Sequence, residues 1–307
     1  MNILQAIGNT SLVQLRNLIS PGCAQIFVKL ESENPTGSLK DRMALAVISR
    51  AEADGRLKSG DTVVEYTGGS TGTSLAFVCA AKGYPIQIVT SDAFSQEKRD
   101  HMAALGAKLT LVPSEGGLTT KQLILDMIEK ARELSRAPHT YFTDQLNNHD
   151  SVAGYHSLGE EVWKQTNGEI DAFVHCVGTG ASSRGIATTL KRFKPNIQIV
   201  VVEPAESAVL SGGQAGPHKI EGVGIGYTPP LWDARVVDEI QPVKTEDAKA
   251  MCRRLAREEA LFAGTSSGAN VVAALRVAER LGPAAKVVTL LADSGLKYLS
   301  TDVYKVR

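Results

Sequence analysis

The chain has 307 residues, enough for two packed lobes with a large core. It carries 33 basic and 33 acidic residues, and this balance argues against a nucleic-acid or anionic-membrane partner. No apolar run approaches the roughly 18 residues needed to span a bilayer, and the N-terminus does not read as a signal peptide. The four cysteines are far apart, which argues against a disulfide framework or a metal site and favours a reducing cytoplasm.

The first informative stretch places a lysine at the start of a predicted helix. It reads Asn34-Pro35-Thr36-Gly37-Ser38-Leu39-Lys40. Pro35 and Gly37 interrupt regular structure, Ser38 is suited to cap a helix, and the helix is predicted to run from Lys40 to about Gly55. Because cations are disfavoured at a helix N-terminus, we expect the Lys40 amine to be neutral often enough to form a Schiff base. On this motif alone, a solvated surface lysine is the ordinary alternative.

Strand-like and helix-like segments alternate along most of the chain. Strands are predicted at 63–66, 86–89, 108–112, 172–177, 197–202 and 286–291. Helices are predicted between them, including one capped by Ser95 and ending at Gly106, one from Leu118 to Ser135 and one through Trp163. The pattern weakens across 137–150, where we expect a crossover between domains. This order is typical of mainly parallel sheets covered by helices, with ligand sites at the carboxyl ends of strands.

Two loops join a predicted strand to a predicted helix and are rich in glycine and hydroxyl residues. Thr67-Gly68-Gly69-Ser70-Thr71-Gly72 allows close backbone approach and can hold a carboxylate, although an ordinary turn would also be compatible with it. Gly178-Thr179-Gly180-Ala181-Ser182-Ser183 is suited to one phosphate. The second loop is also compatible with a dinucleotide-binding site, because Gly178-x-Gly180 is followed by Glu203 near the end of the next strand. The glycine-rich sequence motif of such sites is incomplete, since Ser183 stands at its third glycine position.

A third loop, Ala292-Asp293-Ser294-Gly295, follows the last predicted strand. Ser294 is placed to hydrogen-bond a heteroaromatic nitrogen and would leave that nitrogen unprotonated, although a simple turn is equally compatible with the sequence. A lysine for a Schiff base, a loop for one phosphate and a hydroxyl for a ring nitrogen are together the anchors of pyridoxal phosphate.

These motifs, in this order, resemble those of the cysteine synthases (O-acetylserine sulfhydrylases) and of the catalytic core of cystathionine β-synthases, which are fold-type II pyridoxal-phosphate enzymes. The similarity starts at Ile7-Gly8-Asn9-Thr10 and ends at Ser294–Thr301. It implies an α/β fold of two three-layer domains with mainly parallel sheets, and with the cofactor in the cleft between them. A smaller, mobile substrate-binding domain would span 35–145, and a larger cofactor-binding domain would span 1–34 and 146–307.

Site roles follow from the resemblance position by position. Lys40 would hold the cofactor and act as the general acid and base. The other cofactor-binding residues would be Ser70, Gly178, Thr179, Gly180, Ala181, Ser182 and Ser294. The substrate-binding residues would be Thr67, Gly68, Gly69, Thr71, Gln145 and Gly222. No metal is implied.

Two departures from the family pattern bear on the substrate. The family's substrate loop usually reads Thr-Ser-Gly-Asn-Thr-Gly, so Gly68 replaces a serine and Ser70 replaces the asparagine that reaches the cofactor's phenolic oxygen. The phosphate loop usually reads Gly-Thr-Gly-Gly-Thr, so Ala181 adds a methyl group and Ser182 keeps a hydroxyl.

The resemblance implies β-replacement on an activated L-serine, such as O-acetylserine, with sulfide or a thiol through α-aminoacrylate, giving L-cysteine or a related amino acid. A cystathionine-forming, desulfhydrase or ammonia-lyase activity is an alternative, because the same intermediate serves all of them. A weakly catalytic relative that binds an amino acid or a partner protein is another, as is a nicotinamide-dependent enzyme. The resemblance also implies a homodimer with small-molecule substrates.

Overall fold

The computed structural model describes residues 2–117 and 120–305. The chain groups into two compact units, one made of Met1–Ile7 and Lys40–Gly154 and the other of Gly8–Leu39 and Tyr155–Arg307. The boundaries of these units fall at residues 7, 39 and 154, whereas the division into a domain of 35–145 and a domain formed by the rest stays a prediction.

The described residues form strands and helices with the following bounds. The strands are β1 (Leu12–Gln14), β2 (Gln25–Leu30), β3 (Thr62–Tyr66), β4 (Ile86–Ser91), β5 (Lys108–Val112), β6 (Thr140–Phe142), β7 (Ala172–Cys176), β8 (Gln198–Pro204), β9 (Glu239–Val243) and β10 (Lys286–Leu291). The helices are α1 (Lys40–Ala53), α2 (Ser70–Lys82), α3 (Gln96–Ala104), α4 (Lys121–Ser135), α5 (Asp150–Ala153), α6 (His156–Gln165), α7 (Ala181–Phe193), α8 (Thr245–Glu258) and α9 (Thr265–Leu281).

The first unit contains a parallel sheet with the strand order β5-β4-β3-β6. The central strands β3 and β4 are almost fully buried, as expected for a parallel sheet covered on both faces. Helix α2 leaves the carboxyl end of β3, where the loop Thr67–Gly69 lies. The short strand β6 brings Gln145 to the same end of β3, since Thr143 N–H donates to the carbonyl of Val64 at 3.0 Å.

The second unit contains a six-stranded sheet with the order β1-β2-β10-β7-β8-β9, in which only the β1–β2 pair is antiparallel. Helix α9 packs on this sheet through buried small and branched side chains such as Ala273 and Val277. The loops after β7 and β10 leave neighbouring strands at one edge, which is where ligands bind in such sheets. The predicted fold of two mainly parallel α/β domains is therefore confirmed.

A lysine side chain lies in the interior of this unit. Lys29 on β2 is fully buried, and its Nζ is 2.7 Å from Glu161 Oε2 on α6 and 2.9 Å from Gln165 Oε1. A buried ammonium is tolerated because these oxygens replace the water that it loses. The pair therefore ties β2 to α6.

Most of the predicted elements are confirmed, and the deviations have local causes. Ser95 occupies the cap position of α3, but its side chain makes no capping hydrogen bond. Leu118 and Thr119, at the predicted start of α4, lie outside the described residues; the helix begins at Lys121 and is capped by Thr120. Within the described part of the chain, no helix has the length and apolar character needed to cross a membrane.

Candidate active site

The backbone that leads into Lys40 is fixed by pairing with the end of β10. The N–H of Leu39 donates to the carbonyl of Ala292 at 2.9 Å, and the N–H of Ser294 donates to the carbonyl of Gly37 at 3.0 Å. Gly37 has a φ of 72°, which favours glycine, and a Cβ there would lie 3.4 Å from Ser294 Cβ. Lys40 follows directly as the first, half-buried residue of α1, so the prediction that it begins a helix is confirmed.

Ser294 caps a short 3-10 helix, Gly295–Tyr298, with its side chain. Its Oγ accepts the N–H of Leu296 at 3.2 Å. Since a hydroxyl has one hydrogen and two lone pairs, this geometry leaves the hydrogen of Ser294 to be donated elsewhere. A hydroxyl donor of this kind suits a neutral aromatic nitrogen.

The loop between β7 and α7 is closely packed from behind. A Cβ at Gly178 would lie 2.3 Å from the carbonyl oxygen of Gly222, and a Cβ at Gly180 would lie 2.8 Å from the backbone nitrogen of Trp232. Gly180 also has a φ of 86°. Only glycine fits both positions, and the loop therefore opens directly onto the positive N-terminus of α7, where the first-turn N–H groups have no partner within the helix.

This loop fits the phosphate group of pyridoxal phosphate. The extra methyl group of Ala181 is accommodated, because Ala181 is 1% exposed and belongs to the core. Ser182 lies in the first turn of α7 and is half-buried. Its Oγ is 2.9 Å from Nε2 of His175, a buried side chain on β7 that the sequence analysis did not single out.

The loop between β3 and α2 is linked to Gln145 by side-chain hydrogen bonds. The Thr71 hydroxyl donates to Gln145 Oε1 at 2.8 Å, and Gln145 Nε2 donates to the carbonyl of Tyr66 at 2.6 Å. Gly69 N–H donates to the Thr67 hydroxyl at 3.0 Å. The structure therefore brings together the predicted carboxylate-binding residues Thr67, Gly68, Gly69, Thr71 and Gln145.

The glycine at position 68 has a structural explanation. A Cβ there would lie 2.7 Å from Cε1 of Phe94, whose ring covers the loop from the β4–α3 connection. Gly69 has a φ of 152°, and its own Cβ would lie 2.4 Å from Cδ of Lys98. Phe94 thus occupies the space that a serine side chain would need. The ring of Phe94 can pack here because position 68 is a glycine and not the serine that is usual in the family.

A buried carboxyl group underlies this loop, and sequence reasoning did not single it out. Glu65, on β3, is fully buried and accepts hydrogen bonds from the Thr143 hydroxyl at 2.6 Å, from Tyr66 N–H at 2.8 Å and from Gln145 N–H at 3.0 Å. Burial raises the pKa of Glu65 to about 8 and outweighs these hydrogen bonds, which lower it. The carboxyl group holds Gln145 beside the end of β3.

Two further predicted site residues, Gly222 and Ser70, lie at the phosphate loop and at the start of α2, respectively. Gly222, with a φ of 81°, lies against Gly178 and therefore beside the phosphate loop of the second unit. Gly224 N–H, two residues on, donates to the carbonyl of Val177 at 3.2 Å. Ser70 is the first residue of α2 and is half-buried. The roles of Gly222 toward the substrate and of Ser70 toward the cofactor stay predictions.

Comparisons with known proteins agree with this arrangement. Residues 3–293 match the family described as "Pyridoxal-phosphate dependent enzyme". A cysteine synthase from Staphylococcus aureus is 45% identical over 306 residues, which cover 99% of this chain and 96% of the relative.

Solved structures extend the similarity to the fold. The cysteine synthase of Entamoeba histolytica has a TM-score of 0.92 at 38% identity, covering 100% of this chain and 91% of its own. The O-acetylserine-dependent cystathionine β-synthase of Helicobacter pylori has a TM-score of 0.92 at 34% identity, covering 99% of this chain and 98% of its own.

The family match accounts for the lysine at the start of α1 and for a loop suited to a single phosphate, and it sets aside the dinucleotide alternative. Since the match runs through nearly the whole sequence and both sheets, this chain belongs to the family of pyridoxal-phosphate-dependent enzymes.

Proposed function

We propose that this enzyme replaces the β-substituent of O-acetylserine with sulfide and so produces L-cysteine. The observation that carries the proposal is the presence of two different anion-binding loops. Gly178–Ser182, at the N-terminus of α7, suits a phosphate, and the hydrogen-bonded Thr71–Gln145 pair suits the flat carboxylate of an amino acid. The similarity to cysteine synthases along the chain supports the same assignment.

The residues of this chain would divide the work as follows. Bound pyridoxal phosphate supplies an electron sink for charge that develops on the α-carbon of the substrate. Lys40 would provide the amine that anchors the cofactor, and its Nζ would take the α-proton and later return it. The phosphate-binding set is Gly178, Thr179, Gly180, Ala181 and Ser182. Ser294 would donate to the ring nitrogen and keep it unprotonated.

The substrate carboxylate would be held by the β3–α2 loop. The residues are Thr67, Gly68, Gly69, Thr71 and Gln145. The donors would be backbone N–H groups of the loop and the second amide hydrogen of Gln145, since the single hydrogen of the Thr71 hydroxyl is donated to Gln145. Ser70 would face the phenolic oxygen of the cofactor through a water, because serine is shorter than the usual asparagine. Gly222 would lie by the substrate amine.

O-acetylserine is favoured over serine by leaving-group chemistry. Acetate departs as a stable anion, whereas hydroxide needs a proton donor at the β-carbon. The residues that we assign to the two loops are glycines, one alanine, residues with hydroxyl groups and the amide of Gln145, and none of these is a strong acid.

The setting of the enzyme is also part of the proposal. We infer a cytoplasmic homodimer in which the unit with β3 to β6 binds the amino acid and the unit with β7 binds the cofactor phosphate. Three buried thiols, Cys79, Cys176 and Cys252, are free, which fits a reducing compartment, where disulfides are rare. The resemblance to cysteine synthases supports the dimer, and light scattering on the purified protein would measure it.

The decisive experiment mixes the purified holoenzyme with L-serine, O-acetylserine and other serine esters, each with sulfide, with a larger thiol, or with no nucleophile. Cysteine formed fastest from O-acetylserine and sulfide is the expected result, and Lys40→Ala should abolish it. Cystathionine formed with homocysteine, hydrogen sulfide released when L-cysteine is offered as the substrate, or ammonia released without a nucleophile would support the corresponding alternative. A protein that binds the cofactor but turns over none of these substrates would refute the enzymatic assignment.

A further inference from the structure

The strand β7 carries a histidine directly behind the phosphate loop. His175 is 4% exposed and lies between Phe173 and the start of the loop, with its Nε2 2.9 Å from Ser182 Oγ. A buried histidine beside a hydroxyl has two arrangements, because either group can donate the hydrogen. The neighbouring side chain of Asn270 decides between them.

The orientation of the Asn270 amide is fixed by the backbone. Its Oδ1 accepts the N–H of Cys176 at 2.7 Å, and its Nδ2 donates to the carbonyl of Leu290 at 2.8 Å. A flipped amide would place a donor against the N–H and an acceptor against the carbonyl, leaving both buried backbone groups unsatisfied. The Nδ2 group therefore stays where it is, 3.5 Å from Nδ1 of His175.

The tautomer of His175 follows from this contact. A hydrogen on Nδ1 would point at the amide hydrogens of Asn270, so Nδ1 is the acceptor and Nε2 carries the hydrogen. Nε2–H then donates to Ser182 Oγ. The hydroxyl of Ser182 accepts on the side of His175, and its own hydrogen is directed away from the histidine.

We propose that His175, held by Asn270, is a positioning residue that sets the Ser182 hydroxyl as a hydrogen-bond donor to the phosphate of the cofactor. Without His175, the hydroxyl would be able to turn its hydrogen toward the protein, as Ser183 does when it donates to the carbonyl of Gly180. The inference rests on the proposed role of Ser182 as a phosphate ligand, and it assigns the histidine a function that the phosphate loop alone does not reveal.

A matched pair of substitutions tests the proposal. His175→Gln keeps an amide donor at about the position of Nε2, whereas His175→Asn reaches only the position of Nδ1. The full-length protein, freed of cofactor, is titrated with pyridoxal phosphate and separately with pyridoxal, which lacks the phosphate. His175→Asn should weaken pyridoxal phosphate about fivefold or more, the value of one net hydrogen bond, and leave pyridoxal within about twofold. His175→Gln should stay within about twofold for both ligands.

A double-mutant cycle separates the histidine's role from that of the serine. Ser182→Ala should weaken pyridoxal phosphate about tenfold or more, because its hydrogen bond is charge-assisted, and adding His175→Asn should then have no further effect. Unchanged affinity in Ser182→Ala would refute the phosphate role itself. A weakened Ser182→Ala with an unaffected His175→Asn, or equal losses for pyridoxal and pyridoxal phosphate, would refute the histidine's role alone.

A measurement on the unmodified holoenzyme covers the case in which His175→Asn does not fold. Nitrogen-15 labelling of the six histidines reports which ring nitrogen carries the hydrogen, with the His175 signal assigned by its loss in His175→Gln. Hydrogen on Nε2 is expected. Hydrogen on Nδ1 would overturn the proposal, because His175 would then accept from Ser182 and turn the hydroxyl away from the phosphate.

Discussion

Replacing Glu65 by glutamine should change how the stability of the protein depends on pH. The glutamate is fully buried, and burial raises its pKa from 4.5 to about 8. Below pH 4.5 both the folded and the unfolded chain hold the proton, so the residue carries no penalty. As the pH rises toward 8, the unfolded chain releases the proton first, and the free energy of unfolding falls. The loss reaches about 5 kcal/mol above pH 8, at about 1.36 kcal/mol per pKa unit.

Glutamine does not ionise, so the stability of Glu65→Gln should not fall as the pH rises through this range. The substitution destabilises the protein in another way, because it disturbs hydrogen bonds. The carboxyl group accepts from Tyr66 N–H on one oxygen and from Thr143 and Gln145 on the other. An amide nitrogen must replace one of these acceptors, which costs about 1–3 kcal/mol. The variant should therefore be less stable than the wild type near pH 5 and more stable, by about 2–4 kcal/mol, near pH 9.

The assay is urea unfolding of both full-length proteins, freed of cofactor and followed by far-UV circular dichroism, from pH 5 to pH 9. The difference between the two proteins is the quantity of interest, because it cancels the titration of all other groups. A difference that does not change across this range would refute the reasoning and show that Glu65 is ionised with an ordinary pKa. A crossing of the two curves would identify Glu65 as the titrating group.

Three further substitutions test individual contacts. Gly68→Ser should lower the free energy of unfolding by about 1–3 kcal/mol and raise KM for O-acetylserine, because its Cβ would lie 2.7 Å from the Phe94 ring. Adding Phe94→Leu should restore the stability and the KM. A Gly68→Ser variant with unchanged stability and KM would contradict this packing. Gly178→Ala should weaken binding of pyridoxal phosphate about tenfold or more in a fluorescence titration, since its Cβ would lie 2.3 Å from a backbone oxygen, and unaltered affinity would show that the loop can move back. Lys29→Met should lower the free energy of unfolding in urea by about 3–5 kcal/mol, because it removes the ammonium group that pairs with the carboxylate of Glu161. Adding Glu161→Gln should restore part of the loss. A double variant no more stable than Lys29→Met alone would contradict the role of the pair.

The sequence predicts best what is encoded over short distances. The helix after Lys40, strands β5 and β10, and the glycine loops after β3 and β7 are read from neighbouring residues and are confirmed by the structure. Strand β6 is only three residues long and β9 carries Pro242 and a polar Gln241, so neither has the apolar run or alternation by which a strand is recognised.

The remaining features depend on contacts between distant parts of the chain. Asn270 is 95 positions from His175, and Phe94 lies 26 positions from Gly68, so no local pattern connects them. The burial of Glu65 likewise depends on Thr143 and Gln145, which reach it only because β6 pairs with β3. Sequence reasoning identifies the groups that touch the ligand more easily than those that hold them in place.

The position of β10 has a consequence for biosynthesis. This strand pairs with β2 on one side and β7 on the other, although its residues are translated long after both. While the ribosome is still making the intervening helices, the nascent chain holds two apolar strands whose central neighbour does not yet exist. Those edges are open to wrong partners until Leu291 emerges. A frameshift or nonsense codon upstream of residue 286 should therefore yield aggregates rather than a truncated but soluble sheet.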